Sequence, residues 1–216
     1  MQTSEIVRLS PEIKHDRLAR GIRILAFLPF YHIFGLCATL LWFIFFGTTF
    51  IFLESMDAKN IQFTCKYGRV THFFAIPTVW DMTAHQIVKT AQKQGQLDKL
   101  RRAVRLSNGL QSVLPRFGAW AARNVLFKKV RAQALGTEVM YCISGGGFIR
   151  PETLELMNGL GYGLRNGYGM TETGILSVEL SRRAKIRNSG TVGKPLSAVG
   201  GGGYRISPEG LLEVRA

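Results

Sequence analysis

VMYCISGGG, at residues 139–147, joins an apolar run to three consecutive glycines, and this junction decides the fold that we predict. The run 139–143 has the length of a buried strand. The glycines after it would let backbone amides approach a flat or charged ligand closely, at the strand end where parallel sheets bind ligands. A tight turn that needs glycine for a positive φ is the alternative. The motif matches neither the dinucleotide-binding fingerprint nor the phosphate-binding loop that ends in GK[ST].

Short apolar runs recur on both sides of this junction, and a plausible helix follows each of them. The other predicted strands are 22–28, 48–53 and 70–75. The predicted helices are 32–46, 57–67, one from Pro77 to about Lys93, a basic helical region over 97–135, and one from Pro151 to Asn158. Two of these helices open on proline, which is favoured in a first turn. Strands and helices alternating at this spacing predict an α/β fold, with a largely parallel sheet and helices on both faces.

The character of the chain changes after Gly167. Short β-like pieces at 175–180, 203–206 and 211–214 are separated by glycine and proline, which mark turns. We therefore predict an α/β subdomain over 1–175 and the start of a β-rich subdomain over 176–216. The abrupt end after a strand-like run suggests a truncated subdomain.

The net charge is +14, and much of the excess lies in three clusters at 99–105, 123–131 and 182–187. Solvated helix faces and loops are the simplest interpretation. The alternative is contact with the phosphates of a nucleotide, a coenzyme or a membrane surface, which would make peripheral membrane contact an option. Because aromatic and basic residues do not alternate, we expect no nucleic-acid partner.

The cysteines and the N-terminus indicate a cytoplasmic protein, with membrane association left open by the basic clusters. The three cysteines, at 37, 65 and 142, are widely spaced and form no CxxC pair. An odd count without such a pair argues for a reducing compartment and against a disulfide scaffold or zinc site. Residues 1–20 are polar and charged, unlike a secretory signal.

One uncharged stretch, 34–53, is long and apolar enough for a membrane-spanning helix. Glycine and two threonines at 47–49 divide it into a helix-sized part and a short β-branched part. A helix followed by a buried strand therefore fits as well.

A second glycine-rich segment, NGYGMTETG at 166–174, combines an aromatic ring, a hydroxyl and a carboxylate. Tyr168 could stack on a base, Thr171 could donate to a phosphate oxygen, and Glu172 could bind Mg²⁺ as a hard oxygen ligand. The alternative is a turn followed by a helix that Thr171 caps.

Several short segments occur in an order typical of one enzyme family. They are LPFYHIFG at 28–35, THFFAIP at 71–77, SGGG at 144–147, GYGMTE at 167–172, GTVGKP at 190–195 and GLLEVR at 210–215. In these segments the chain resembles the adenylate-forming (AMP-binding) superfamily of acyl-CoA synthetases, luciferases and peptide-synthetase adenylation domains, and it matches an internal segment of their large N-terminal domain. The region 100–135 is similar to an insertion of the long-chain fatty acyl-CoA ligase branch. An ordinary amphipathic insertion is the alternative there.

The resemblance implies a role for each matching residue. The implied nucleotide-binding residues are Ser144, Gly145, Gly146, Gly147, Asn166, Gly167, Tyr168, Gly169, Met170 and Thr171. Among them, Asn166 would lie near the adenine edge, Tyr168 against its face, and Thr171 at the α-phosphate. Glu172 would hold Mg²⁺, and His32 would lie near the substrate carboxylate, so Thr171, Glu172 and His32 are the candidate catalytic residues. For His32 the alternative is a half-buried residue at a helix start.

The implied reaction activates a carboxylate by attack on the α-phosphorus of ATP, which gives acyl-AMP and pyrophosphate. A thiol of CoA or of a carrier protein then takes the acyl group. The implied cofactors are ATP and Mg²⁺, and the implied substrate is a fatty acid. Phe30, Phe34 and Phe148 agree with an apolar lining for its chain.

The chain departs from the family's pattern near both ends. Residues 1–20 contain nothing like the Ser/Thr/Gly-rich phosphate loop. The ribose-binding aspartate and the C-terminal domain with its catalytic lysine would follow Ala216. We therefore expect a ligase fragment that needs a missing domain and is inactive alone. A non-catalytic nucleotide- or acyl-binding module and a membrane-anchored basic protein are the alternatives.

Overall fold

The computed structural model describes residues 21–41, 43–44, 47–196 and 204–214. Residues 1–20, where the sequence shows no phosphate loop, lie outside the described residues. So do 42 and 45–46 of the predicted helix 32–46, residue 203 of the predicted strand 203–206, and Ala216 at the expected truncation.

Strands and helices alternate through most of the described part of the chain. The strands are β1 (Arg23–Ala26), β2 (Thr49–Phe52), β3 (His72–Ala75), β4 (Tyr141–Ser144), β5 (Leu164–Met170), β6 (Gly174–Val178), β7 (Tyr204–Ile206) and β8 (Leu212–Val214). The α-helices are α1 (Ala58–Tyr67), α2 (Pro77–Lys93), α3 (Leu97–Val113), α4 (Pro115–Ala121), α5 (Lys128–Gln133), α6 (Pro151–Gly159) and α7 (Ala184–Arg187). Two π-helical segments, Phe34–Leu41 and Ala122–Leu126, complete the described elements.

Local chemistry explains where several helices begin. The Asp57 carboxylate accepts hydrogen bonds from the amides of Lys59 and Asn60, both at 2.9 Å, so it satisfies donors that the first turn of α1 leaves unpaired. Helices α2, α4 and α6 each begin on a proline, which is preorganised for the first helical turn and lacks the amide that would be unpaired there. The predicted starts of α2 and α6 are confirmed.

The main sheet has the strand order β2-β1-β3-β4-β5-β6. Its first five strands are parallel, and β6 pairs antiparallel to β5 with a shift in register between Tyr168 and Gly169. Strands β7 and β8 form a separate antiparallel pair. The predicted α/β fold with a largely parallel sheet is confirmed, and the described chain ends in β structure as expected. The predicted boundary near 175 falls inside β6, which belongs to the main sheet, and the division into two subdomains stays a prediction.

Both faces of the sheet are covered. On one face Leu25, Phe73 and Cys142 pack in a cluster with residues of α1, α2, α3 and α6, including the fully buried Trp80. On the other face a second cluster joins the strands to the π-helical segment Phe34–Leu41. The strand residues therefore alternate between two apolar layers, as expected for a sheet buried on both sides.

One alternative interpretation is excluded and one prediction for an individual element was wrong. The alternative of a turn followed by a capped helix does not hold, because residues 166–170 belong to β5, which pairs with β6 as a hairpin. No helix capped by Thr171 follows, since 171–173 form the hairpin turn. The strand predicted as buried over 48–53 is an edge strand, and Phe52 at its end is mostly exposed.

The uncharged stretch 34–53 is therefore split between a π-helical segment and strand β2. Within the described part of the chain, no helix combines the length and apolarity that crossing a membrane requires.

A histidine lies inside the sheet, on the predicted strand 70–75. His72 is fully buried, its ring is stacked on Tyr141 with centroids 4.7 Å apart, and its Nδ1 lies 2.7 Å from the Thr71 hydroxyl. Its Nε2 is buried without a hydrogen-bond partner among the described residues. Burial, together with the nearby Arg165 cation, lowers the pKa of His72 to about 3.

We expect His72 to make the fold acid-sensitive. The unfolded chain binds a proton at this residue below pH 6.5, whereas the folded chain does not until pH nears 3, so stability falls as the pH falls through this window. Between pH 7 and pH 5 the loss from this residue is about 2 kcal/mol in the free energy of unfolding. Urea unfolding of His72→Phe should show a flatter pH profile than the parent chain. His85→Phe, at an exposed position of α2, is the control, and an equal flattening there would contradict the assignment.

Candidate functional site

The loop after β1 brings His32 to the carboxyl end of the sheet. The His32 amide donates to the Pro29 carbonyl at 3.1 Å, and the Leu36 amide donates to the His32 carbonyl at 2.9 Å. These bonds fold 29–36 into a tight turn. A Cβ atom on Gly35 would lie 2.2 Å from the Pro29 oxygen, so only glycine fits between the two passages of the backbone.

The three glycines at 145–147 follow directly from β4. The Gly145 amide donates to the Ala75 carbonyl of β3 at 3.3 Å, which extends the sheet contact by one residue. The Phe34 ring lies against Gly145, where a Cβ would be 3.1 Å from the ring. The Phe34 ring therefore occupies the place of a side chain at Gly145, and the predicted approach of a ligand to the glycine backbone stays a prediction.

Helix α6 is fixed immediately after this loop. The Thr153 hydroxyl donates to Asp81 of α2 at 2.5 Å, and Arg150 pairs with the same carboxylate at 3.1 Å. Because Asp81 holds the start of α6, the glycine loop is anchored at both ends.

The second glycine-rich segment forms the β5–β6 hairpin. A Cβ on Gly169 would lie 2.4 Å from the Gly174 oxygen, so the two strands approach more closely here than other residues allow. Tyr168 is half-buried and packs against the second apolar cluster. Thr171 and Glu172 are exposed in the turn.

These segments surround one cleft of about 520 Å³ at the carboxyl ends of the parallel strands. Most residues that the sequence singled out line it: His32, Gly145, Gly146, Gly167, Tyr168, Gly169, Met170 and Thr171. The rest of the lining is mainly apolar, with Phe34, Ile143 and Ile175 among its members. A mainly apolar cleft with a few convergent polar groups is the usual form of a small-molecule site.

Four of the singled-out residues do not line the cleft. Glu172 follows Thr171 on the exposed turn, and Gly147 lies beside Pro77. Ser144 and Asn166 are buried neighbours on β4 and β5. The Asn166 amide donates to the Gly190 carbonyl at 3.0 Å, while its Oδ1 and the Ser144 hydroxyl are buried without a hydrogen-bond partner among the described residues.

Of the three phenylalanines proposed for an acyl lining, only one lies in the cleft. Phe34 lines it, whereas Phe30 packs against Phe52 and Phe148 is 79% exposed. The sequence did not single out Ile76 and Met56, which also line the cleft. Ile76 could have been found, since it directly follows β3 and shares the sheet edge with the glycine loop.

The GTVGKP segment, at 190–195, contacts strand β6 of the hairpin. Gly193 has a φ of +80°, and a Cβ there would lie 2.4 Å from the Val178 oxygen at the end of β6. The Leu196 amide donates to the Leu176 carbonyl at 2.9 Å, and Pro195 forms an isolated antiparallel β-bridge with Ser177. This turn therefore fixes β6, and through it the strand that carries Tyr168.

The described residues offer limited means to hold a metal ion. Among them, no three or more His, Cys, Asp or Glu side chains come together as a metal site. Glu172 supplies one exposed carboxylate beside Thr171. Mg²⁺ is commonly held by one or two carboxylates and completed by substrate phosphates and water. Glu172 fits that kind of shared site and does not fit a site made by protein ligands alone.

The sheet, the cleft at its carboxyl edge and the two glycine-rich segments define the class. The model of the AMP-binding enzyme family matches residues 3–200, and the chain belongs to this family.

Two curated relatives are long-chain-fatty-acid–CoA ligases. The chain is 30% identical over 159 residues to long-chain-fatty-acid–CoA ligase 1 of Saccharomyces cerevisiae, covering 70% of this chain and 22% of that protein. It is 30% identical over 208 residues to the ligase FadD15 of Mycobacterium bovis, covering 92% of this chain and 33% of that protein. The chain thus spans a third or less of the length of these relatives.

Solved structures share the fold. The o-succinylbenzoate CoA synthetase of Bacillus subtilis, in complex with its acyl-adenylate intermediate, matches 98% of this chain and 34% of its own with a TM-score of 0.58 and 18% identity. The N-terminal domain of FACL13 from Mycobacterium tuberculosis matches 89% of this chain and 38% of its own with a TM-score of 0.55 and 18% identity. At this identity the likeness concerns the fold alone.

Proposed function

We propose that the chain forms the adenylate and acyl cleft of an ATP-dependent acyl-CoA ligase and acts as one part of a longer or multi-part enzyme. The observation that carries the proposal is the convergence of Gly145, Gly146, Tyr168, Thr171 and His32 on one cleft. These residues come from three segments that are far apart in the sequence. Their meeting at the carboxyl ends of parallel strands matches the place where open α/β sheets bind ligands.

In this proposal each lining group has a defined task. The Tyr168 ring stacks on the adenine, and the bare backbone of Gly145 and Gly146 lets the nucleotide approach closely. The Thr171 hydroxyl donates a hydrogen bond to an α-phosphate oxygen. His32 lies at the mouth, near the carboxylate that is activated. Ser144, Gly147 and Asn166, for which the family resemblance implies nucleotide binding, would then support the glycine loop.

The reaction that such a cleft serves has two steps. A carboxylate oxygen attacks the α-phosphorus of ATP, the bond to the β-phosphate breaks, and pyrophosphate leaves. A thiol sulfur then attacks the acyl carbon, and AMP leaves. Catalysis depends on holding two negatively charged reactants in line. When Mg²⁺ is bound, with Glu172 as its protein ligand, it offsets phosphate charge.

A fatty acid is the proposed substrate. The apolar lining, which includes Phe34, Ile76, Ile143 and Ile175, suits an acyl chain. The two curated relatives are named for long-chain fatty acids, which supports the same choice. The acceptor is a thiol of CoA, as their names suggest, with a carrier-protein thiol as the other option.

The described cleft alone lacks groups that this chemistry needs. Among its described lining residues none is lysine or arginine, so no fixed cation faces the developing phosphate charge. We therefore propose that the 216-residue chain binds acyl-AMP but releases no pyrophosphate by itself. One experiment distinguishes this ligase part from a purely non-catalytic binding module. The remaining domains of a related ligase are added to the chain, and turnover is restored only if the chain is part of an enzyme.

The test measures binding of an acyl-adenosine sulfamate, an unreactive mimic of acyl-AMP, by titration calorimetry. Tyr168→Ala should weaken binding by about 10-fold or more, because base stacking on an aromatic ring contributes about 1–3 kcal/mol. Tyr168→Phe keeps the ring and should stay within about 3-fold of the parent chain. Tyr67→Ala, which removes a 74% exposed ring on α1, is the matched control. Equal affinity in all four proteins, or no binding by the folded parent chain, would overturn the proposal.

A further inference from the structure

Two of the three basic clusters in the sequence meet in a cavity of about 490 Å³. The cations that line it are Arg116, Arg123, Lys128, Arg165, Arg182 and Arg187. The one carboxylate among its described lining residues is Glu138. Six cations against one anion give the cavity lining a strong positive excess. The two basic clusters therefore share one charged cavity and are not separate solvated helix faces.

The cavity is separate from the adenylate cleft. Its lining includes Met140, Tyr141 and Gly163, which lie at the amino ends of β4 and β5. The adenylate cleft lies at the carboxyl ends of the same strands, and the described lining of the two spaces has no residue in common. β4 is four residues long, so its amino and carboxyl ends are about 10 Å apart.

Protein oxygens help to fix the position of the most buried cation. The buried Arg187 guanidinium donates to the side-chain oxygens of Gln111 and Asn158, both at 3.1 Å, and to the Arg182 carbonyl at 2.8 Å. Arg123 is fixed in a similar way by the Gly161 carbonyl at 2.9 Å. These two side chains are thus preorganised by the protein, which lowers the entropic cost of binding a ligand.

Folding places these cations together against their mutual repulsion. They come from α4, the π-helical segment Ala122–Leu126, α5, β5, α7 and the loop before α7. A concave space lined mainly by one sign of charge concentrates counter-ions of the other sign. Arginine forks match phosphate oxygens in pairs, and five of the six cations are arginine.

We propose that this cavity binds a diphosphate group, either as free pyrophosphate or as the diphosphate of a nucleotide. The volume is ample for pyrophosphate, and the lining includes the exposed Trp120 ring, against which a nucleotide base can pack. The proposal does not depend on the function of the adenylate cleft.

The chain offers closely matched variants for a test. Lys128 and Arg182 line the cavity, whereas their sequence neighbours Lys129 and Arg183 are exposed and do not. Lys128→Gln combined with Arg182→Gln therefore removes two cavity charges. Lys129→Gln combined with Arg183→Gln removes the same charge from the same two regions of the chain.

Binding of pyrophosphate and of ADP to the folded chain is measured by calorimetry in magnesium-free buffer, with the acyl-adenosine sulfamate present in excess. We expect saturable binding that the cavity double variant weakens at least 10-fold and the control double variant by less than 3-fold. Tighter binding of ADP than of pyrophosphate would identify a nucleotide as the source of the diphosphate, and the reverse order would identify free pyrophosphate.

Three outcomes would overturn the proposal. The first is equal weakening in both double variants, which would show only a general charge effect. The second is equally tight binding of citrate, which would show no preference for phosphate and point to an acidic peptide as the occupant. The third is absence of saturable binding by the parent chain. Thermal unfolding of each variant confirms that it is folded before these results are used.

Discussion

Arg131→Met is expected to lower the free energy of unfolding by about 3–5 kcal/mol. The Arg131 side chain is fully buried, and its guanidinium donates to the carbonyls of Leu160, Thr137 and Val139 at 3.3, 3.0 and 2.5 Å. It also lies over the Tyr162 ring, 4.1 Å from the centroid. Methionine has a similar length but no donor, so the three carbonyls, of which those of Leu160 and Val139 take part in buried bonds, would lose this partner. The cation–π contact would disappear as well.

Chemical denaturation at neutral pH measures the effect, with Lys129→Met as the control. Lys129 is exposed on the same helix, so its replacement should change stability by less than about 0.5 kcal/mol. Arg131→Lys should recover only part of the loss, because one ammonium cannot reach three carbonyls as a planar guanidinium does. A loss below about 1 kcal/mol for Arg131→Met would mean that water or a shift of the backbone satisfies these carbonyls.

Arg131 also illustrates what the sequence could not reveal. It stands in the basic cluster 123–131, for which a solvated helix face is the simplest interpretation of the sequence. Its neighbour Lys129 follows that interpretation and Arg131 does not, because burial depends on carbonyls 6–29 residues away. Charge composition carries no information about such distant partners.

Features that depend on local chemistry were predicted more successfully. Pro77 and Pro151 fixed the starts of α2 and α6, and the glycines at 145–147 were correctly placed after a strand. A β-like piece was predicted over 175–180, but its pairing with β5 was not, because the glycines of 166–174 favour a turn by composition. Glycine is tolerated within these strands because the backbones approach closely at Gly169 and Gly174. This need for glycine arises only once the two strands are paired.

The candidate cleft was assembled in part from the sequence. Tyr168, Thr171 and His32 were singled out, and they do line one space, because motifs at the carboxyl ends of adjacent parallel strands meet at one edge. Their roles in binding and catalysis stay predictions. The cationic cavity could not be predicted from the sequence, since folding brings the charges of the cluster 123–131 beside those of the cluster 182–187, more than fifty residues further along the chain.

Gly35→Ala is expected to destabilise the chain by about 3 kcal/mol and to damage the adenylate cleft at the same time. The new methyl group would lie 2.2 Å from the Pro29 oxygen and 3.0 Å from the Leu28 oxygen. Both are backbone atoms, so no side-chain rotation can relieve the overlap, and the turn must open. His32 and the Phe34 ring are carried by this turn, so the wall of the cleft moves with it.

Two measurements separate the structural effect from the effect on the site. Urea unfolding gives the loss of stability, and calorimetry with the acyl-adenosine sulfamate gives the loss of affinity, which should be at least 10-fold in protein that is still folded. Gly109→Ala is the matched control, because Gly109 lies in α3 with open space around the added methyl group. There the same substitution should stabilise the chain by about 0.5–1 kcal/mol, since alanine is the better helix former. If Gly35→Ala were as stable as the parent chain, the close approach of 29 and 35 could not be what shapes this wall of the cleft. If it lost stability but kept full affinity, the turn would matter for folding alone and His32 would have no part in the site.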